Sequence, residues 1–347
     1  MLSLLTALAS GTAAAGADAL ARHVRTELHM GVEFEVVVYS DDTALAEKAL
    51  TAGMARVAAL DQALSDYNLE SELSRLSATS TVAGSPASGE VKFPAVKLSD
   101  DLWTVLAFSQ QLSQQSDGAF DVTVGPLTKL WRRARRQKAL PDPELLQTAR
   151  AAVGYQHLRL DPEARTAQLL KPNMRLDLGG IAKGYAADEA LAAIKKLGLT
   201  RALVRASGDI AAGDAPPGET GWLIGIAPLN PDEPPQRFVR LANNAISTSG
   251  DSRQHLEIGG KRYSHILDPR TGLGIESRSS VSVIAPRGMT ADSLATAVSI
   301  LGPDKGLALV AKYNGAALLM IAEDGEGQIR EVASSNFARF ETASPKE

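Results

Sequence analysis

The chain has 347 residues, of which 44 % are hydrophobic and 22 % charged, a composition that excludes disorder, collagen and coiled coil as readings of the whole. Its 36 Lys and Arg face 40 Asp and Glu, a formal net charge of −4, without the basic excess expected of a nucleic-acid binder. There is no cysteine, which excludes disulfide scaffolds, thiolate zinc sites, iron–sulfur clusters, cysteine nucleophiles and a Cys-linked lipid anchor.

Residues 1–22 begin with an apolar stretch too short for a bilayer, which needs about 20 residues, and continue into small residues. They are expected to be an export signal truncated at its basic end, or an alanine-rich lead-in. The domain proper is expected over 23–341, with a frayed tail at 342–347. A β-rich run predicts a strand over 29–39, and apolar residues at helical spacing predict an amphipathic helix over 42–64. Residues 79–97 are rich in Ser, Gly and Pro and read as a loop with one short strand; a helix over 100–113 follows, capped by Ser99 or Asp100. Beyond the basic run at 126–138, the pattern predicts a helix over 143–152, a hairpin of 158–160 with 167–170, a strand over 174–178 and a helix over 181–197. Short strands are expected at 202–206, 222–226, 237–241, 245–247, 281–285 and 316–321, with a helix over 291–301.

No period of about 20 to 50 residues repeats, which rules out solenoids and propellers. Strands and helices mix without steady βαβ alternation. The expected fold class is therefore α+β: a single large catalytic domain with mixed, mostly antiparallel sheets and flanking helices. No later segment is long and apolar enough to cross a membrane.

Three segments carry candidate chemistry. In Asp177-Leu178-Gly179-Gly180-Ile181-Ala182-Lys183-Gly184-Tyr185, a strand runs through a Gly-Gly turn into a helix whose free N–H groups suit an anion. Lys183 is the wrong charge for that helix end unless it faces an anion, and the alternative is a tight turn with a solvated lysine. Asp292 and Thr296, four apart on a helix, offer hard oxygens from one face, as Mg²⁺ prefers. Pattern alone equally reads Thr290 as the helix cap and Asp292 as a favourable first-turn charge. His265 precedes the strong turn Asp268-Pro269-Arg270-Thr271-Gly272, placed either as a general base or as a structural histidine. The remaining histidines lack the spacing of a zinc site, and Ser249 lies outside a nucleophile elbow. Arg132, Arg133, Arg135, Arg136 and Lys138 read as a solvated helix face.

Further segments fall in a fixed order: His29-Met30-Gly31, Leu64-Ser65-Asp66-Tyr67-Asn68, Asp117-Gly118-Ala119-Phe120-Asp121-Val122-Thr123, Gly125-Pro126-Leu127 with Trp131, then Ser247-Thr248-Ser249-Gly250-Asp251. Together with the three above, they resemble the FAD:protein FMN transferases, the ApbE family of flavin transferases. The resemblance implies Mg²⁺-dependent cleavage of the FAD pyrophosphate, transfer of FMN through a phosphoester to a Thr or Ser of an acceptor protein, and release of AMP. It implies that Gly180, Asp292 and Thr296 hold Mg²⁺, and that Met30, Tyr67, Ala119, Phe120, Asp121, Asp177 and Lys183, with the backbone near Ile266, hold FAD. It makes His265 the base that deprotonates the acceptor hydroxyl. One departure stands out: Ser207-Gly208-Asp209 occupies the place of the family's Gly-Gly-Asp or Gly-Gly-Asn turn.

The alternatives are an FAD pyrophosphatase, with water in place of the acceptor hydroxyl, and a non-catalytic flavin-binding protein. The resemblance further implies an acceptor subunit of a membrane-associated redox complex carrying a Thr/Ser flavinylation motif, met in the periplasm or otherwise outside the cytoplasm. No segment of this chain matches such a motif, so self-flavinylation is not expected.

Overall fold

Eight strands build the main sheet of the computed structural model, which describes residues 20–82, 92–230, 232–250, 254–323 and 327–344. They are β1 (Ala21–His29), β2 (Val32–Ser40), β3 (Ala202–Ala206), β4 (Asp209–Ala212), β5 (Ala245–Gly250), β6 (Ser279–Ala285), β7 (Ala317–Glu323) and β8 (Ile329–Ala333). Their order in the sheet is their order in the chain, and every neighbour is antiparallel. Eight α-helices are described: α1 (Thr43–Leu64), α2 (Glu72–Ala78), α3 (Asp100–Gln115), α4 (Gly125–Gln137), α5 (Pro143–Ala151), α6 (Ala182–Lys195), α7 (Gly288–Leu301) and α8 (Pro303–Val310). The α+β expectation holds. Residues 1–19 of the expected signal or lead-in and 345–347 of the expected tail lie outside the described residues.

Side-chain alternation along the strands separates two cores. Phe34, Val36 and Val38 of β2 and Val281 and Val283 of β6 point to the larger core, which α1, α6 and α7 cover. Val37, Ile284 and Leu319 point the other way, beneath a three-stranded sheet of Trp222–Ile226, Arg237–Leu241 and Glu341–Thr342 and the side chain of Phe337. A third cluster joins Leu127, Trp131 and Ala134 of α4 to Tyr263 and Leu267, in a pair of small hairpins. There the Trp131 indole N–H donates to the carbonyl of Gly272 at 2.8 Å. Among the described residues, no helix is long and apolar enough to cross a membrane.

Three expectations need correction. The strand expected at 29–39 is a hairpin, β1–β2, turning at Met30 and Gly31, both with positive φ (49° and 73°). The strand expected at 174–178 makes only an isolated bridge, Arg175 with Val124. Its amides are taken by a serine hydroxyl (Leu176 N–H to Ser77 Oγ, 3.0 Å) and by a loop carbonyl (Asp177 N–H to Val122 O, 2.8 Å). Thr290 does not cap α7, which begins two residues earlier; Asp188 of α6 accepts from the N–H groups of Gly288 (2.6 Å) and Met289 (3.0 Å) and caps it from outside.

Candidate active site

The turn before α6 is held by its own aspartate. Asp177 Oδ1 accepts from Gly179 N–H at 2.8 Å, so the chain turns sharply and delivers Lys183 one residue into the helix. The Lys183 ammonium donates to Gly179 O at 3.1 Å and lies 3.1 Å from Asp209 and 3.5 Å from Asp292. A cation at a helix N-terminus is thus matched by two carboxylates. Burial works against its charge, but the two carboxylates outweigh burial and hold Lys183 above its ordinary pKa.

Asp292 arrives from α7, which crosses α6 at a glycine contact: a Cβ on Gly184 would stand 2.2 Å from Gly288 O and 2.7 Å from Asp292 Cβ. Only glycine lets the helices meet so closely. Asp292 is buried and accepts from Gly184 N–H at 3.0 Å. Burial, then the neighbouring Asp209, hold its carboxyl above the usual carboxylate range, against the pull of Lys183. Asp209, also buried, accepts from Ser247 Oγ at 2.5 Å. One turn beyond Asp292, Thr296 presses on the Gly-Gly turn, where a Cβ on Gly180 would be 2.8 Å from Thr296 Oγ1. The set is therefore the Asp292 carboxylate, a hydroxyl and a backbone segment packed together, with Asp292 and Asp209 sharing one ammonium. The donors are hard oxygens and one negative charge is left over, so the residues fit a small divalent cation such as Mg²⁺. Among the described residues no group of three or more His, Cys, Asp or Glu forms a metal cluster.

At the other end of the same cleft, Asp66 and Asp177 face one guanidinium. Arg132 donates to Asp66 Oδ2 at 2.5 Å and to Asp177 Oδ2 at 2.9 Å, and its Cζ lies 4.1 Å from the centroid of the Tyr67 ring. Thr128, one turn earlier on α4, donates to the same oxygen of Asp177 at 2.8 Å. Burial and then the Asp177 charge raise the Asp66 pKa, while Arg132 and Arg175 lower it. The basic run is not a uniformly solvated face: Arg132 turns inward, and Arg135 also lines the cleft.

Asp121 has a different part. Its carboxylate accepts from Thr123 N–H (2.8 Å), Thr123 Oγ (2.7 Å) and Tyr155 N–H (2.7 Å), so it shapes the loop that presents Ala119 and Phe120. Burial raises its pKa.

His265 follows the strand Lys261–Ser264, at the cleft. Its Nδ1 is 3.0 Å from Gln254 O; with the proton there, Nε2 is left as the accepting nitrogen. Ile266 contributes its side chain to the cleft, but its backbone is used within the hairpins: N–H to Ser264 Oγ, and O from Ile275 N–H, both 3.0 Å.

The cleft has a volume of about 570 Å³ and brings together every expected site residue except Met30. Met30 N–H donates to Asp61 in the β1–β2 turn, and Val32 lines the cleft in its place. Arg132, Asp66, Asp209 and Asp188 were missed as site or supporting residues. Each stands in or beside a quoted segment, and only the fold reveals the partners. Ser207, in the β3–β4 turn, also lines the cleft and has φ 57°.

Comparison with known proteins agrees with this geometry. The chain matches the ApbE family over residues 30–320. It is 34 % identical over 307 residues to an FAD:protein FMN transferase of Haemophilus influenzae, covering 85 % of each chain. Against that of Vibrio cholerae it is 32 % identical over 346 residues, covering 98 % of this chain and 99 % of the other. Among solved structures it resembles the apo flavinyl transferase ApbE of Pseudomonas stutzeri, with a TM-score of 0.78 at 32 % identity, covering 94 % of this chain and 99 % of that one. For flavin transferase ApbE from Vibrio cholerae the TM-score is 0.80 at 30 % identity, covering 92 % and 99 %. Fold and sequence agree that this chain belongs to the ApbE family.

Proposed function

We propose that the protein is a Mg²⁺-dependent FAD:protein FMN transferase, which joins FMN through a phosphoester to a Thr or Ser hydroxyl of an acceptor protein and releases AMP. The observation that carries the reading is one cleft holding both His265, its Nδ1 tied to a carbonyl, and the oxygen set of Gly180, Asp292 and Thr296. The Nε2 lone pair of His265 takes the proton of the acceptor hydroxyl. That oxygen then bonds the FMN phosphorus, the P–O bond to the AMP phosphate breaks, and AMP leaves with the bridging oxygen. Gly180, Asp292 and Thr296 would hold Mg²⁺, which supplies positive charge to the pyrophosphate and to the leaving phosphate. Lys183 steadies both Asp209 and Asp292, and Phe120 and Tyr67 offer apolar surface to the rings of FAD.

The acceptor is proposed to be a subunit of a membrane-associated redox complex, met in the periplasm; the family resemblance supports this. The test mixes purified protein with FAD, Mg²⁺ and a domain bearing the acceptor motif, and reads flavin fluorescence on a denaturing gel. A fluorescent acceptor band, lost with EDTA and accompanied by AMP, is the expected result. Free FMN and AMP with no band would move the assignment to a pyrophosphatase, and uncleaved bound FAD to a flavin carrier. His265→Ala should lower transfer by roughly 10²–10⁴-fold, the usual worth of a general base. FAD affinity should stay within about twofold; retained transfer would refute the role of His265.

A further inference from the structure

We propose that Arg132 is a positioning residue for FAD, holding Tyr67 in the orientation that receives the nucleotide; the proposal rests on the transferase reading above. Arg132 Nη1 meets Asp66 Oδ2 at 2.5 Å, and its Nη2 meets Asp177 Oδ2 at 2.9 Å and Asp66 Oδ1 at 3.3 Å. The same planar group lies 4.1 Å from the Tyr67 ring centroid. One side chain therefore fixes three others, drawn from the loop after α1 and from the turn before α6.

Two features make this more than a surface ion pair. Asp66 and Asp177 are each only 8 % exposed, and Arg132 is paired with both of them. Arg175 pairs with Asp66 at 3.6 Å, but among the described residues Arg132 is the cation paired with the two together. Tyr67 is 75 % exposed, with no apolar packing of the kind that would fix a ring in a core. The guanidinium covers one face of the ring and leaves the other open to a planar ligand. Ordering that tyrosine before the substrate arrives removes an entropy cost from binding. Lysine cannot do the same, because an ammonium has no planar face to lay on the ring while it pairs with the carboxylates.

The role is for binding, and the test separates it from a structural one by a double-mutant cycle with Tyr67. FAD is titrated into wild type, Arg132→Gln, Arg132→Lys, Tyr67→Ala and the R132Q/Y67A double variant, following quenching of flavin fluorescence. Transfer is measured in parallel at saturating FAD. We expect Kd to rise about tenfold in R132Q and in Y67A, about 1.4 kcal/mol each, and no further in the double variant. R132K should not restore affinity, and kcat should remain within about twofold. An R132Q Kd within twofold of wild type overturns the proposal, and so does a double variant whose loss is the product of the single losses. Should R132Q fail to fold, D66N/R132Q removes one buried charge with its partner. The same tenfold loss is expected there, and an unchanged Kd is again fatal. Wild type that does not bind FAD would instead refute the transferase reading itself.

Discussion

Ser207 holds a backbone conformation that L-residues adopt at a cost. At φ 57° its Cβ crowds its own carbonyl, and nothing in the two-residue turn between β3 and β4 requires that side chain. Ser207→Gly should therefore raise stability by about 1 kcal/mol, read as an upward shift of the urea midpoint, a gain large enough to exceed the lost backbone restriction in the unfolded chain. An unchanged or lower midpoint would mean that the hydroxyl makes a contact worth keeping. At this scale the sequence was most readable: Asp177, Lys183, His265, Asp292 and Thr296 carry their chemistry in short segments, and the fold brings them to one cleft. Arg132 was not readable. Five cations in seven positions look alike, and the two carboxylates that single it out lie 66 and 45 residues away.

For single elements, the start of α7 is the instructive case. Its first residues carry no side-chain cap of their own; Asp188 reaches across from α6 to take the first two N–H groups. Local rules look for a cap just before the helix and so proposed Thr290, which lies inside it. Burial holds the Asp188 pKa above the usual carboxylate range, against the two N–H groups and Arg287, which lower it. Asp188→Ala should cost about 1–2 kcal/mol in urea unfolding, the upper range for a lost cap. Because α7 carries Asp292 and Thr296, Mg²⁺ affinity of the FAD-bound protein should fall as well, measurable by titrating transfer with Mg²⁺. A full stability loss with unchanged Mg²⁺ dependence would separate the cap from the site. The longer helices α1 and α3 were well marked, since amphipathic spacing in α1 and the Ser99 cap of α3 are local signals, whereas the short α2 and α8 were not expected. The hairpin β1–β2 was harder to read: β2 is β-rich, but β1, ARHVRTELH, carries little of that composition, and the turn at Met30 and Gly31 has positive φ at both residues.

Across the whole molecule, one charged cluster ties three helices together. Arg56 of α1 binds Asp101 of α3 (2.8 Å) and Glu189 of α6 (2.7 Å), and Tyr185 of α6 donates to Asp101 at 2.7 Å. The hydrogen bond from Arg56 is the main influence holding Asp101 below the usual carboxylate pKa. A depressed native pKa means that this contribution is present above the unfolded value of 3.8 and disappears as pH falls through the native one. These side chains are about a quarter exposed, so the expected cost of Asp101→Asn at pH 7 is only about 1 kcal/mol. The gap between wild type and D101N in urea midpoints should close below pH 3.8; a gap that persists in acid would assign the effect to packing.

Stability is also unevenly spread. Among the described residues, the cleft wall carrying His265 rests on a cluster of six buried residues, whereas α6 and α7 stand on the main core. Amide exchange should be faster at 255–275 than at 291–301, read by mass spectrometry, and equal protection would refute this division. The sequence showed the α+β class and most strands, because alternation and periodicity are local. It could not show the strand order of the main sheet, since β2 and β3 are neighbours with residues 41–201 between them.

That separation has a consequence in time. At a synthesis rate of about 5–20 residues per second, the β1–β2 hairpin waits roughly ten to thirty seconds on the ribosome before β3 exists to pair with it. Throughout that interval residues 34–38, including Phe34, Val36 and Val38, present an unpaired strand edge with an apolar face, the kind of segment that joins another chain's strand. The newborn chain thus needs shielding at this hairpin first, and a chaperone that binds short apolar strands would find its earliest client there.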